Sequence, residues 1–186
     1  MLTVRDFEVR EFQPADFDTL WRIDQECFPP GISYSRKELK IYLRRPGAFG
    51  LVALSTPGEL GDEAEEPSQG TPPNRSSDQL SAHCGGSLGI VGFIIAEVEG
   101  SAGHIITIDV VASGRRHGVG SLLLGNTEQR LRASGCDVVE LETAVDNISA
   151  LAFYKRHGYT VVKTYPRYYS NGVDALVLQK MTCTSG

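Results

Sequence analysis

Residues 110–121 read Val110-Val111-Ala112-Ser113-Gly114-Arg115-Arg116-His117-Gly118-Val119-Gly120-Ser121, and three leucines follow. The end of a β-branched strand runs into a basic, glycine-punctuated turn, and the apolar run after it opens a helix. Gly118 and Gly120 carry no Cβ, so successive backbone N–H groups can face one concavity. Those amides are also the open donors of a helix start, where the helix dipole favours negative charge. Arg115 and Arg116 add full positive charge beside them. The stretch reads as a site for a phosphate-bearing ligand.

The type of turn narrows the ligand. It lacks the Lys-Ser/Thr ending of a Walker loop, and its glycines do not fit the Gly-x-Gly-x-x-Gly fingerprint of dinucleotide binders. What stands here is Arg115-x-x-Gly118-x-Gly120.

Bulk properties set the limits. With 186 residues, 41% of them hydrophobic, the chain can bury one sizeable core, and a single domain over 1–186 is expected. The formal net charge of -5 argues against nucleic acid as the main partner. No apolar run is long enough to span a membrane; residues 88–98 come nearest and read as a core strand. The first eight residues include Arg5, Asp6 and Glu8, where a signal peptide needs an apolar core. Cys27, Cys84, Cys136 and Cys183 show no paired metal-ligand spacing, so free thiols, no metal and a cytoplasmic location are expected.

Along the chain, Phe7 to Phe12 alternates like an opening strand. A helix starts at Pro14, carries Phe17, Leu20, Trp21, Ile23 and Asp24 at helical spacing, and stops before Pro29-Pro30-Gly31. Ser35 with Glu38 is a capping-box signature for a second helix through Leu43. A strand over 49–54 follows. Residues 55–87 differ in kind: Gly, Pro, Ser and acidic residues dominate, and such a composition reads as a flexible hairpin insertion. Strands are expected over 88–97 and 104–111, a helix over 121–133, a strand over 138–143, a helix over 147–157 and two strands over 161–165 and 175–178. The order β-α-α-β-β-β-α-β-α-β-β specifies an α/β protein with a mixed sheet.

A second motif, Asn147-x-x-Ala150-x-x-x-Tyr154-x-x-x-Gly158-Tyr159, stands downstream of the first. Together the two resemble the signatures of the GCN5-related N-acetyltransferase (GNAT) superfamily, which writes the second as Asn-x-x-Ala-x-x-x-Tyr-x-x-x-Gly-Phe. The resemblance is nearest to the protein N-terminal acetyltransferases, including the ribosomal-protein-alanine type, and spans nearly the whole chain outside the insertion. It implies the GNAT fold: a mostly antiparallel mixed sheet with splayed central strands and helices on both faces. It also implies acetyl-CoA as co-substrate, bound by Val110, Val111, Arg115, Arg116, His117, Gly118, Val119, Gly120, Ser121, Asn147, Ala150 and Tyr154. The acceptor implied is a protein or peptide N-terminus, a ribosomal protein among the candidates. Phe28, Pro29 and Tyr34 match one loop of the relatives' peptide site, and Tyr168 with Tyr169 the other.

Acetyl transfer needs a neutral amine, a polarised carbonyl and a proton for the departing thiolate. The resemblance places Tyr154 as the acid and the amides near Val110 and Val111 at the acetyl oxygen. Glu142 stands where the relatives put a Glu or His as base. An ordinary carboxylate, near 4.3, is a poor base for an ammonium, so this role needs burial or a relaying water. His104 matches a position that carries a catalytic Tyr in one branch and could complete a relay; Asp109 is the third option. At pH 7 deprotonation costs roughly 1.2 kcal/mol for an α-amine and 4.6 for lysine, which favours the α-amine. A small-molecule amine or lysine acetyltransferase and a non-catalytic acyl-CoA sensor are the alternatives.

Overall fold

The β-branched and apolar runs of the chain do assemble as strands. In the computed structural model, which describes residues 7–55 and 89–182, they form one seven-stranded sheet. The strands are β1 (Phe7–Glu11), β2 (Ala48–Ser55), β3 (Ile90–Glu99), β4 (Ala102–Val110), β5 (Val138–Ala144), β6 (Thr160–Tyr165) and β7 (Ala175–Met181). Their spatial order is β1-β2-β3-β4-β5-β7-β6. Every neighbouring pair is antiparallel except β4 with β5.

Among the described residues four helices cover the sheet: α1 (Phe17–Cys27), α2 (Arg36–Tyr42), α3 (Val119–Ala133) and α4 (Ile148–Arg156). Each has an apolar stripe, and each stripe finds the sheet. Leu20, Ile23 and Leu39 of α1 and α2 pack with Val52, Phe93 and Ile95 on one face. Leu123, Leu124, Leu131 and Tyr154 of α3 and α4 pack with Ile94, Ile105, Val139 and Leu141 on the other. Adjacent residues such as Ile94 and Ile95 therefore serve opposite cores, as strand alternation requires. This is the mixed sheet, with helices on both faces, that the element order specifies.

Capping explains the helix ends. Ser35 Oγ accepts from Glu38 N while Glu38 Oε2 accepts from Ser35 N at 2.9 Å, the reciprocal box expected from sequence. Some boundaries move. A single turn of 3-10 helix over Pro14–Asp16 precedes α1. α3 begins at Val119, two residues before the expected start, because Gly118 rather than Gly120 takes the left-handed turn at φ 86°. Ser55, assigned from sequence to the insertion, ends β2, pairs with Phe7 and donates its N–H to Gly89 O at 3.0 Å. The rest of that insertion lies outside the described residues.

Candidate active site

The site opens where the sheet comes apart. β4 and β5 pair only from Ala102↔Val138 to Ile105↔Leu141; beyond that point β4 follows β3 and β5 follows β7. A β-bulge lies at the fork: the β3–β4 register shifts between Ile95 and Ala96, leaving Ile106 as an extra residue on β4. An added residue bends its strand and swings it from its neighbour. A cleft of about 1110 Å³ fills the gap, walled by residues 105–110 and 141–144 and floored by the start of α3 and one face of α4.

At the α3 end, Gly118 is the N-cap, and Leu122 is the first amide to find a helical carbonyl, at Gly118 O, 2.9 Å. The N–H groups of Val119, Gly120 and Ser121 thus stay open toward the cleft that these residues line. A Cβ on Gly120 would come within 3.4 Å of the Phe153 ring, so glycine keeps this floor low. Arg116, itself left-handed at φ 64°, lines the mouth. Arg115 turns inward instead, donating from Nε to Val110 O at 2.9 Å and from Nη2 to Cys27 Sγ at 3.7 Å. Open amides, a helix dipole and a guanidinium fit a diphosphate. Two expected contacts are placed otherwise. The Val111 amide is committed to Val91 O at 3.0 Å, and His117 lies outside the cleft lining, as does Val111.

Asn147 caps α4, its Oδ1 accepting from Ala150 N at 3.1 Å and Ser149 Oγ at 3.0 Å. Ala150 and Tyr154 follow along the face that lines the cleft. Tyr154 is only 5% exposed, and burial, reinforced by Asp109, pushes its phenol well above the usual 10. It holds its proton at every ordinary pH.

The three candidate bases part company here. Glu142 lines the cleft, and His104 stands behind it with Nε2 2.7 Å from Glu142 Oε2. Burial works to lower the His104 pKa, but Glu142 and then Glu97 overcome it and hold the ring above its ordinary value. Asp109 also lines the cleft, at 1% exposure, accepting from Thr107 Oγ1 at 2.9 Å. Burial first, then the Asp24 carboxylate, pushes Asp109 up to about 8. At neutral pH it is a carboxylic acid. Asp24, fully buried, is itself pushed up to about 6 by burial while accepting from Tyr34 N at 2.8 Å.

Two loops roof the cleft. Phe28, Pro29 and Tyr34 come from the α1–α2 connection and Tyr169 from the β6–β7 connection. Tyr34 donates its hydroxyl to Ile106 O at 3.2 Å, at the bulge itself. Ser170 Oγ donates to Gly31 O at 3.0 Å and ties one loop to the other. Tyr168, expected beside Tyr169, is half exposed outside the lining and stacks on Tyr165. Sequence reasoning did not find Asp24, Glu97 or Ser170. An acid inside the apolar stripe of α1 was the one signal available, since an unpaired buried carboxylate is costly.

The profile of the Acetyltransferase (GNAT) family matches residues 17–159. The chain belongs to that family. It is 37% identical over 101 residues to N-alpha-acetyltransferase 30 of Dictyostelium discoideum, a match covering 52% of this chain and 54% of that protein. The chain spans about half the length of the curated relatives it matches. Among solved structures it superposes on Ard1 from Thermoplasma volcanium with a TM-score of 0.73 at 22% identity, over 96% of this chain and 99% of that one. The ribosomal-protein-alanine N-acetyltransferase from Escherichia coli superposes with a TM-score of 0.70 at 17% identity, over 97% and 96%. At these identities the structural likeness concerns the fold.

Proposed function

We propose that this chain is an acetyl-CoA-dependent N-α-acetyltransferase that acts on protein or peptide N-termini by direct attack in a ternary complex. One observation carries the reading: Glu142, backed by His104 at 2.7 Å, lines the same cleft as the buried phenol of Tyr154. A base and an acid thus face one space. Bound acetyl-CoA supplies an activated thioester there.

The chain's own groups do the rest. The open amides of Val119, Gly120 and Ser121 hold the diphosphate end, and the Asn147–Ala150 face receives the pantetheine arm. Glu142 takes the proton of the incoming ammonium by way of a relaying water, and Tyr154 gives its proton to the departing sulfur. Asp109, neutral below about pH 8, leaves the base role to Glu142. Cys27 lines the cleft, but burial pushes its thiol up, which disfavours a thiolate nucleophile and an acyl-enzyme.

The roof supports an N-terminus as acceptor. Ser170 bonded to Gly31 ties together the two loops that border the cleft, a fixed edge against which a chain end can be held. The N-alpha-acetyltransferase relative points the same way.

Thiol release from acetyl-CoA tests this with matched peptides. Peptides with a free N-terminus should turn over, and the same peptides with a blocked N-terminus and an internal lysine should not. Turnover confined to lysine or to small amines would assign a different acceptor.

A further inference from the structure

Behind Glu142 a row of charge runs back through the sheet. Glu97 of β3 and His104 of β4 are direct partners in the antiparallel register. The imidazole between them and β5 has a carboxylate toward each nitrogen: Glu142 Oε2 at 2.7 Å from Nε2, and Glu97 Oε1 at 3.6 Å from Nδ1. Glu97 is buried, at 4% exposure, and its Oε1 accepts from Arg45 Nη1 at 2.9 Å. Arg45 is held in turn over the Tyr42 ring, 4.4 Å from its centroid. Three strands and the turn after α2 therefore converge on one ring.

We propose that Glu97, anchored by Arg45, is a positioning residue for acetyl transfer, holding the His104 ring so that Nε2 meets Glu142. The proposal rests on the reading of Glu142 as the base. A buried carboxylate is expensive unless paired, and Arg45 alone, 42% exposed, gives this one an incomplete partner. The ring supplies the remainder. His104 turns one nitrogen to each carboxylate, at hydrogen-bond distance from Glu142 and within ion-pair reach of Glu97. Its Nε2–H occupies one oxygen of Glu142, leaving the other to accept a proton in the cleft. Without Glu97 the ring loses the group that fixes which nitrogen faces forward.

Among the described residues the other groups facing the ring are few. Glu140 lies opposite His104 on β5, but its Oε1 is taken by Gln179 Nε2. The phenols of Tyr168 and Tyr169 lie beyond, next to the Glu142 charge. Burial lowers the ring's pKa, Glu142 and then Glu97 raise it above its ordinary value, and Arg45 draws on the same Glu97 oxygen.

The imidazole resonances of His104, followed by NMR across pH in the free protein, test this directly. Glu97→Gln should lower the His104 midpoint by about one unit, and Glu97→Asp should restore most of it. Arg45→Gln should shift it the opposite way, and this variant decides the matter if Glu97→Gln fails to fold. With whichever amine the enzyme accepts, Glu97→Gln should lower kcat about tenfold and leave KM for acetyl-CoA in place. A His104 midpoint unmoved by either substitution overturns the proposal. The titration needs no substrate, so it stands or falls apart from the choice of acceptor, which the peptide panel judges.

Discussion

Tyr154 and Asp109 show how one environment sets two opposite chemistries. Both are buried against the same cleft, and burial disfavours the charged form of each. For the phenol this means a proton retained until the sulfur leaves; for the carboxyl it means that the ionised form is the minor one at neutral pH. Tyr154→Phe should therefore cut kcat about a hundredfold while acetyl-CoA affinity, measured by calorimetry, changes little; an unaltered kcat removes Tyr154 from the acid role. Glu142→Gln should cost about as much, most severely at the acid end of the pH profile, where the amine is protonated. Asp109→Asn should cost under about tenfold and preserve the shape of the profile, because an amide resembles the neutral acid already present. A profile that collapses in Asp109→Asn instead would transfer the base role to that residue.

Elements divide the labour between donor and acceptor. The donor end belongs to the turn into α3, where Gly118 sits at φ 86° in a region that costs other residues on the order of 1–2 kcal/mol. Gly118→Val should raise KM for acetyl-CoA about tenfold and leave the acceptor KM alone. The acceptor end belongs to the roof. Ser170→Ala removes the bond to Gly31, a neutral hydrogen bond of about 1 kcal/mol. Steady-state kinetics should show an acceptor KM raised about fivefold with kcat kept. The two substitutions make a mirrored pair, and equal effects on both substrates would mean that neither element acts as assigned.

For the molecule as a whole, the buried acids and the His104 relay give stability a definite pH dependence. Asp16, held low by the Arg10 guanidinium at 2.7 Å, contributes stability above the ordinary carboxylate range and loses it as pH falls. Asp24, Asp109 and His104 are raised, so what they contribute is complete at low pH and is lost as pH climbs through about 6, about 8 and the His104 midpoint. Thermal unfolding followed by circular dichroism should peak near about pH 4–5 and decline toward pH 8. Asp109→Asn should flatten the decline, adding stability at pH 8 and almost none at pH 4. A wild-type curve flat from pH 4 to 8 would contradict the burial of these groups.

Much of this architecture was written in local patterns. The capping box at Ser35 and Glu38, the glycine turn before α3 and the Asn147 cap all depend on residues a few positions apart, so the chain determines them by itself. The same holds for the alternation that puts Glu142 opposite Leu141 on β5, since side chains on a strand must take opposite faces. Register is another matter. The bulge at Ile106 that parts β4 from β5, the pairing of Glu97 with His104 and the Ser170–Gly31 tie join segments far apart in sequence. The commitment of the Val111 amide to Val91 and the turning of Tyr168 away from Tyr169's cleft belong with them. Such contacts arise only when distant strands and loops compete for the same hydrogen bonds and the same buried space. Local sequence records which partners a residue is able to take, and the folded sheet decides which one it has.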